Sequence, residues 1–198
     1  MPASASDFVI QAFPQDPQVT SFSSTFGAPR SGGRRHEGTD LMAPKMTPVY
    51  AAADGVVTRI ATQRRAGRYL VIDHGDEWET WYVHLNNDTP GTNDGRADWA
   101  NTVVPGIEVG TQVAAGQHVA WLGDSGNAEG GSPHTHFEIQ RNGRSIDPYP
   151  YLVPAYEAAM AARAAEKMSA AIVWLDRTDD PFDEHLASYD LGGGVTFL

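Results

Sequence analysis

The chain has 198 residues, 41% of them apolar, a formal net charge of −11 and no cysteine. This is enough apolar material for one domain with extensions, while the charge argues against nucleic acid and anionic membrane surfaces as partners. Without cysteine there are neither disulfides nor thiolate metal sites, so any metal must be held by His, Asp or Glu.

No apolar run approaches the ~20 residues that span a bilayer, so membrane insertion is not expected. The opening "MPASASDFVIQAFPQDPQ" lacks the basic start and apolar stretch of a secretory signal. Residues 1–18 are rich in Ser, Pro and Gln and read as a loose lead-in. From Val19 to Leu152 short β-like runs alternate with Gly and Pro, which points to a mainly β, antiparallel domain. The strand candidates are "VYAAA", "VVTRIAT", "YLVIDH", "WETWYVHL", "HVAWLG" and "HTHFEIQ". "ADG" at Ala53–Gly55 and "HGDE" at His74–Glu77 read as hairpin turns. Asn86–Gly106 is long, polar and punctuated by Gly and Pro, and reads as an extended surface loop. "TPVYAAADGVV" and "TQVAAGQHVAW" echo one another, as a duplicated hairpin would. Residues 153–198 change character: "AYEAAMAARAAEKMSAAIVW" reads as a helix after Pro154, and the acidic remainder reads as a tail.

The chemistry lies with the histidines. "GSPHTHFEIQ" heads a strand in which residues two apart share a face. His134, His136 and Glu138 then lie on one side, with Thr135, Phe137 and Ile139 on the core side. A face of two imidazoles and a carboxylate meets either water or something that binds nitrogen. "RRHEGTDLMAP" places His36 and Asp40 four residues apart, and Gly38 argues for a loop that turns both inward. In "WETWYVHL", alternation puts His84 on one face with Trp78, Thr80 and Tyr82, opposite Trp81, Val83 and Leu85; alone it reads as a structural histidine. His74 sits at a turn, and His118 and His185 have no context that lifts them above surface positions. "GDSGNAEGG" matches the nucleophile segment of trypsin-like proteases, but no companion histidine segment exists, so Ser125 reads as part of a Gly-rich turn.

"HEGTD", "WYVHL" and "GGSPHTHFEI", in this order within β-rich text, resemble the M23 family of zinc metallopeptidases, the lysostaphin- and LytM-like peptidoglycan endopeptidases. The resemblance runs from about Phe22 to Leu152. Met46 stands where the family often has Gly, and Thr135 where Leu usually separates the two histidines; neither removes a functional group. The resemblance implies a LytM-like peptidase domain at 19–152, with Zn²⁺ bound by His36, Asp40 and His136 and with His84 and His134 as catalytic groups that do not ligate. Two imidazoles and a carboxylate would leave a fourth position open, as catalytic zinc requires. There is no His-Glu-x-x-His helix, so the two remaining histidines would supply acid–base chemistry, with Glu138 a candidate to orient one of the imidazoles. The family implies peptidoglycan peptides as substrate and an extracellular, periplasmic or cell-wall location. Degenerate members that keep the fold as binding modules and activate partner amidases give the alternative reading, with loss of ligands as their mark; here all five positions are filled. A carrier-type hairpin module would leave those five residues unexplained. Because the chain is acidic and cell walls are often anionic, affinity should come from the groove rather than from long-range attraction.

Overall fold

A computed structural model describes residues 8–178, with side chains described to Ile172. The tail read from residue 179 onward, His185 included, lies outside the described residues. The chain divides into two compact units, Met1–Met160 and Ala161–Leu198.

Among the described residues the first unit holds nine strands: β1 (Thr39–Met42), β2 (Pro48–Tyr50), β3 (Gly55–Gln63), β4 (Gly67–Asp73), β5 (Trp78–Leu85), β6 (Gln112–Val113), β7 (His118–Trp121), β8 (His134–Arg141) and β9 (Arg144–Ile146). All pairings between them are antiparallel. Seven form one sheet in the order β1-β8-β5-β4-β3-β6, with β9 added to β8, and β2 pairs with β7 in a second, small sheet. The fold is therefore mainly β, as the sequence leads one to expect.

β1 escaped the sequence reading. "TDLM" is too short to show a period, so His36–Asp40 read as a loop, yet Asp40 lies on a strand paired with β8. The "HGDE" turn does join the hairpin β4–β5. "ADG" does not close a hairpin, because β2 leaves for the small sheet while β3 stays in the large one. The two echoing segments pair with each other: β2 with β7, and β3 with β6. Ala51 N–H donates to the Gln117 carbonyl and Gly116 N–H to that of Ala51, so the two turns interlock.

The core lies on one face of the large sheet. Leu41, Leu70, Ile72, Tyr82, Phe137 and Ile139 are fully buried there, joined by Leu122 and Leu152. Contrary to the expectation of a loose lead-in, Phe8, Ile10 and Phe13 are buried in this core. Phe8 stacks on Trp78 with ring centroids 5.3 Å apart, and Phe13 meets Phe22 and Tyr156. Each such side chain, once buried, contributes on the order of 1.5–3 kcal/mol, enough to hold an otherwise polar segment against the sheet. The helix α1 (Tyr149–Thr178) begins before Pro154 rather than after it. Pro150 falls in its first turn, where a missing N–H costs nothing. The Asp147 carboxylate accepts the Tyr149 N–H at 3.0 Å, and the exposed Pro154 is accommodated one turn later. Beyond Met160 nearly all described helix side chains are exposed.

Candidate metal centre

The other face of the sheet carries the histidines. β8 alternates as its period demands: Thr135, Phe137 and Ile139 are buried toward the core, while His134, His136 and Glu138 line a cleft of about 770 Å³. Asp40 sits directly across from His136 in the β1–β8 pairing. His36 reaches the same point from the segment just before β1, and it is buried to 4% exposure. Gly38 makes this possible. A Cβ there would lie 2.4 Å from the Phe137 carbonyl oxygen and 2.9 Å from the His136 ring, so only glycine lets the segment cross this close.

His84 reaches the cleft by a different device. Plain alternation would put it on the core side with Tyr82. Instead β5 contributes one residue more than β4 between the pairs Leu70–Tyr82 and Arg68–Leu85, a bulge. His84 itself has φ +63°, an unusual value for a side chain branched off a strand. Tyr82 and Leu85 therefore both face the core, and Val83 and His84 both line the cleft. This corrects the face assigned to His84 by alternation.

Three donor atoms converge. Asp40 Oδ1 is 3.0 Å from His36 Nε2 and 3.0 Å from His136 Nδ1, and those two nitrogens are 2.9 Å apart. The opposite ring nitrogens are already engaged: His36 Nδ1–H donates to the Thr25 carbonyl at 3.1 Å, and His136 Nε2–H to Glu138 Oε1 at 3.0 Å. With those tautomers the three atoms facing one another are all acceptors, an arrangement that calls for a cation between them. Tetrahedral bonds of ~2.0–2.1 Å set donor atoms about 3.3 Å apart, close to the separations here, so the residues fit a zinc-type ion. The other Asp40 oxygen, Oδ2, accepts from Arg30 Nη2 at 2.8 Å.

The electrostatics agree with a site built for positive charge. Burial works to raise the Asp40 carboxyl, but hydrogen bonds from His136 and His36 hold it far below the usual carboxylate range. Burial works to lower His136, but without a metal the Asp40 and Glu138 carboxylates overcome it and push the imidazole up to about 9, so a proton then sits at Nδ1 where a bound cation would take its place. His84 is pushed down to about 4, first by burial and then by His134 beside it.

His84 and His134 flank the centre without joining it. His134 Nε2 is 3.7 Å from Asp40 Oδ1, and the His84 ring is centred 6.0 Å from that of His136. Each donates its Nδ1–H to a backbone carbonyl, Ser125 for His84 and Ser132 for His134, both at 2.8 Å. Each is thus left with Nε2 for chemistry. Ser125 Oγ donates to the Leu85 carbonyl at 2.6 Å and accepts from Arg68 N–H at 2.9 Å, so Ser125 is a bracket for His84, not a nucleophile. Of the sequence candidates, His36, Asp40, His84, His134, His136 and Glu138 come together. His74 stays apart, bonded to the Asp54 carbonyl and Thr80 Oγ1, and His118 packs on Trp121. Sequence reasoning passed over Arg30 and the carbonyls of Thr25, Ser125 and Ser132; no residue-type signal marks a carbonyl.

A second acidic group, Asp88, Asp124 and Glu129, also gathers among the described residues. Its charge is met from within: Lys45 Nζ lies 2.5 Å from Asp88 Oδ2 and makes an ion-pair contact of 2.7 Å with Asp124 Oδ1. This ties the Asn86–Gly106 loop to the turn before β8.

Fold and site together define an antiparallel β domain whose cleft gathers two imidazoles and a carboxylate, a set that could hold a metal ion, beside two further histidines. Residues 34–96 match the model of peptidase family M23. The chain is 33% identical over 112 residues to the peptidoglycan DD-endopeptidase ShyA of Vibrio cholerae, a match covering 57% of this chain and 22% of that protein. Among solved structures it is similar to a zinc-containing peptidase from Vibrio cholerae, with 29% identity and a TM-score of 0.56 over 71% of this chain and 39% of that one. It is also similar to the catalytic domain of lysostaphin from Staphylococcus simulans, with 25% identity and a TM-score of 0.53 over 67% of this chain and 92% of that domain. Across residues 34–96 the chain is thus similar to peptidase family M23. It spans about a quarter of the length of the curated relatives it matches.

Proposed function

We propose that this chain is a zinc-dependent endopeptidase that hydrolyses peptide bonds in the stems or cross-bridges of bacterial peptidoglycan, acting in the cell envelope. The observation that carries this reading is the convergence of three acceptor atoms, His36 Nε2, Asp40 Oδ1 and His136 Nδ1, whose outer nitrogens are already committed. These residues would hold Zn²⁺, which when bound supplies Lewis-acid polarisation at the open side of the site. The chain's own groups do the rest. His84 is neutral at pH 7, being held down to about 4 by burial and by His134, and it accepts a proton at Nε2. His134, in its doubly protonated form, donates Nε2–H to the substrate carbonyl oxygen as charge develops there, while Nδ1–H stays on the Ser132 carbonyl. Glu138 fixes the His136 ring, and the bond between Arg30 and Asp40 Oδ2 leaves Oδ1 turned to the centre.

The alternative, a binding module that activates a partner amidase, gains no support from the site, since ligand-type and acid–base side chains are all in place. The test joins metal analysis to digestion. Protein purified without chelator should carry one zinc per chain, and His136→Ala should bind it far more weakly. The zinc-loaded protein should release peptide fragments, identified by mass spectrometry, from purified peptidoglycans of differing cross-bridge chemistry. Full zinc loading with no cleavage of any wall would favour the binding module.

A further inference from the structure

The cleft has a charge opposite to that of the chain. Of fourteen Lys and Arg set against twenty-five Asp and Glu, five arginines line this one cleft: Arg30, Arg34, Arg35, Arg64 and Arg65. Three carboxylates line it too, but Asp40 and Glu138 are turned to histidines, leaving Glu37. Arg34 and Arg35 bond only backbone carbonyls, those of Ser31 and Gly27. Arg64 and Arg65 sit exposed on the turn between β3 and β4, and neither guanidinium makes an ion pair or hydrogen bond among the described residues. The cationic groups come from two separate segments, one before His36 and one at a strand turn. Arg30 is held by Asp40, Arg34 and Arg35 keep donors beyond their single carbonyl bonds, and Arg64 and Arg65 have whole forks to offer carboxylates.

We propose that this arginine rim makes the cleft selective for peptides carrying free carboxylates close to the bond that is cut. The inference rests on the peptidase reading for the word "cut", but not for the binding. A short acidic peptide suits the geometry better than a long polyanion. Screening confines attraction to about 8 Å at physiological salt, so a short ligand meets the rim alone, whereas a long one also meets the acidic remainder of the surface. This also resolves how an acidic chain could approach an acidic substrate.

The experiment is a calorimetric titration of the full-length, zinc-loaded chain with two hexapeptides of Gly and Ala, one carrying two Glu residues and the other two Gln residues in the same places. A ten-nucleotide single strand serves as the polyphosphate control, and cleavage is read by mass spectrometry on the same samples. The Glu peptide should bind about tenfold more tightly than the Gln peptide, with the preference shrinking at high salt and falling toward one in Arg64→Gln/Arg65→Gln. Equal binding of the two peptides overturns the proposal, as does tighter binding of the oligonucleotide. Preference without cleavage keeps the rim and leaves the peptidase reading to the peptidoglycan digests; cleavage without preference keeps the peptidase reading and removes the rim. If the double variant fails to fold, the salt dependence of the parent's preference decides alone.

Discussion

His84 and His134 face each other with ring centroids 5.0 Å apart, and both donate Nδ1–H to carbonyls of a single connection, the one between β7 and β8. Neither carbonyl is on the strand that carries its histidine at the paired position, so the connection sets both rings at once. If the two act together beside a metal held by others, metal binding and catalysis should separate. His84→Ala and His134→Ala should each retain zinc and fold but lose about 10²–10⁴-fold in cleavage rate. The double variant should lose less than the two losses combined. Zinc content, circular dichroism and single-turnover rates on one defined peptide decide it; unimpaired cleavage by His84→Ala would make that residue structural.

Glu138 should matter through His136. Its Oε1 is 3.0 Å from His136 Nε2, and its Oε2 accepts from Gln140 at 2.7 Å. Removal of such a partner typically weakens metal binding about 10–100-fold. Glu138→Ala should show that loss in competition with a chelator, and Glu138→Gln, which keeps an acceptor, a smaller one. Unchanged zinc affinity in Glu138→Ala would mean the carboxylate is only filling space.

Acid stability should report on His84. An unfolded-state histidine titrates near 6.5, and the folded chain holds this one down to about 4. Between those values the unfolded chain takes a proton that the folded chain refuses, so stability falls as pH drops through this window. Above pH 6.5 the group contributes no slope, and below about 4 the loss is complete, at about 3 kcal/mol. His84→Asn tolerates the positive φ and lacks the titration. Urea unfolding of the chelator-treated proteins should therefore show a difference between parent and variant that changes over pH 4–6.5 and is flat above it.

Truncation should be tolerated at one place and not at another. Leu152 is fully buried and Tyr156 packs edge-on to Phe13 at 5.3 Å and Phe22 at 5.4 Å. A chain ending at Met160 should keep the melting temperature of the parent and its zinc. One ending at Leu152 should melt lower, since the half-buried Tyr156 is lost, at a cost of about 1–3 kcal/mol. Equal melting of the two would show that the first turns of α1 hold nothing.

How much of this the sequence displayed depends on the length of the local signal. The cleft face of β8 was legible because eight residues alternate cleanly, and His134, His136 and Glu138 follow from period two alone. Asp40 was legible as a site residue only through the family resemblance, and its strand was not, because four residues of β1 carry no period and the pairing with His136 spans 96 positions. The His84 position was legible only through its resemblance to a family. Its face was read wrongly because a bulge inserts one residue and reverses the alternation. Phe8, Ile10 and Phe13 were hidden because apolar residues spaced irregularly among Ser, Pro and Gln look like linker until a sheet face is there to receive them. The arginine rim was invisible for the opposite reason. Its members lie in two short runs, and only the folded sheet brings them to one opening.

β8 enters the large sheet between β1 and β5, two strands that precede it by some fifty to a hundred residues. During synthesis its seat stays open until most of the first unit has left the ribosome, and His36 and Asp40 wait for a partner that follows some hundred residues later. Closing so large a loop carries an entropy cost that no local contact offsets beforehand. The proposed three-donor site therefore forms only once β8 has docked, and an N-terminal fragment stopping before Gly131 lacks His136, one of its three donors. Timing, as much as geometry, would keep the proposed chemistry from starting before the sheet is closed.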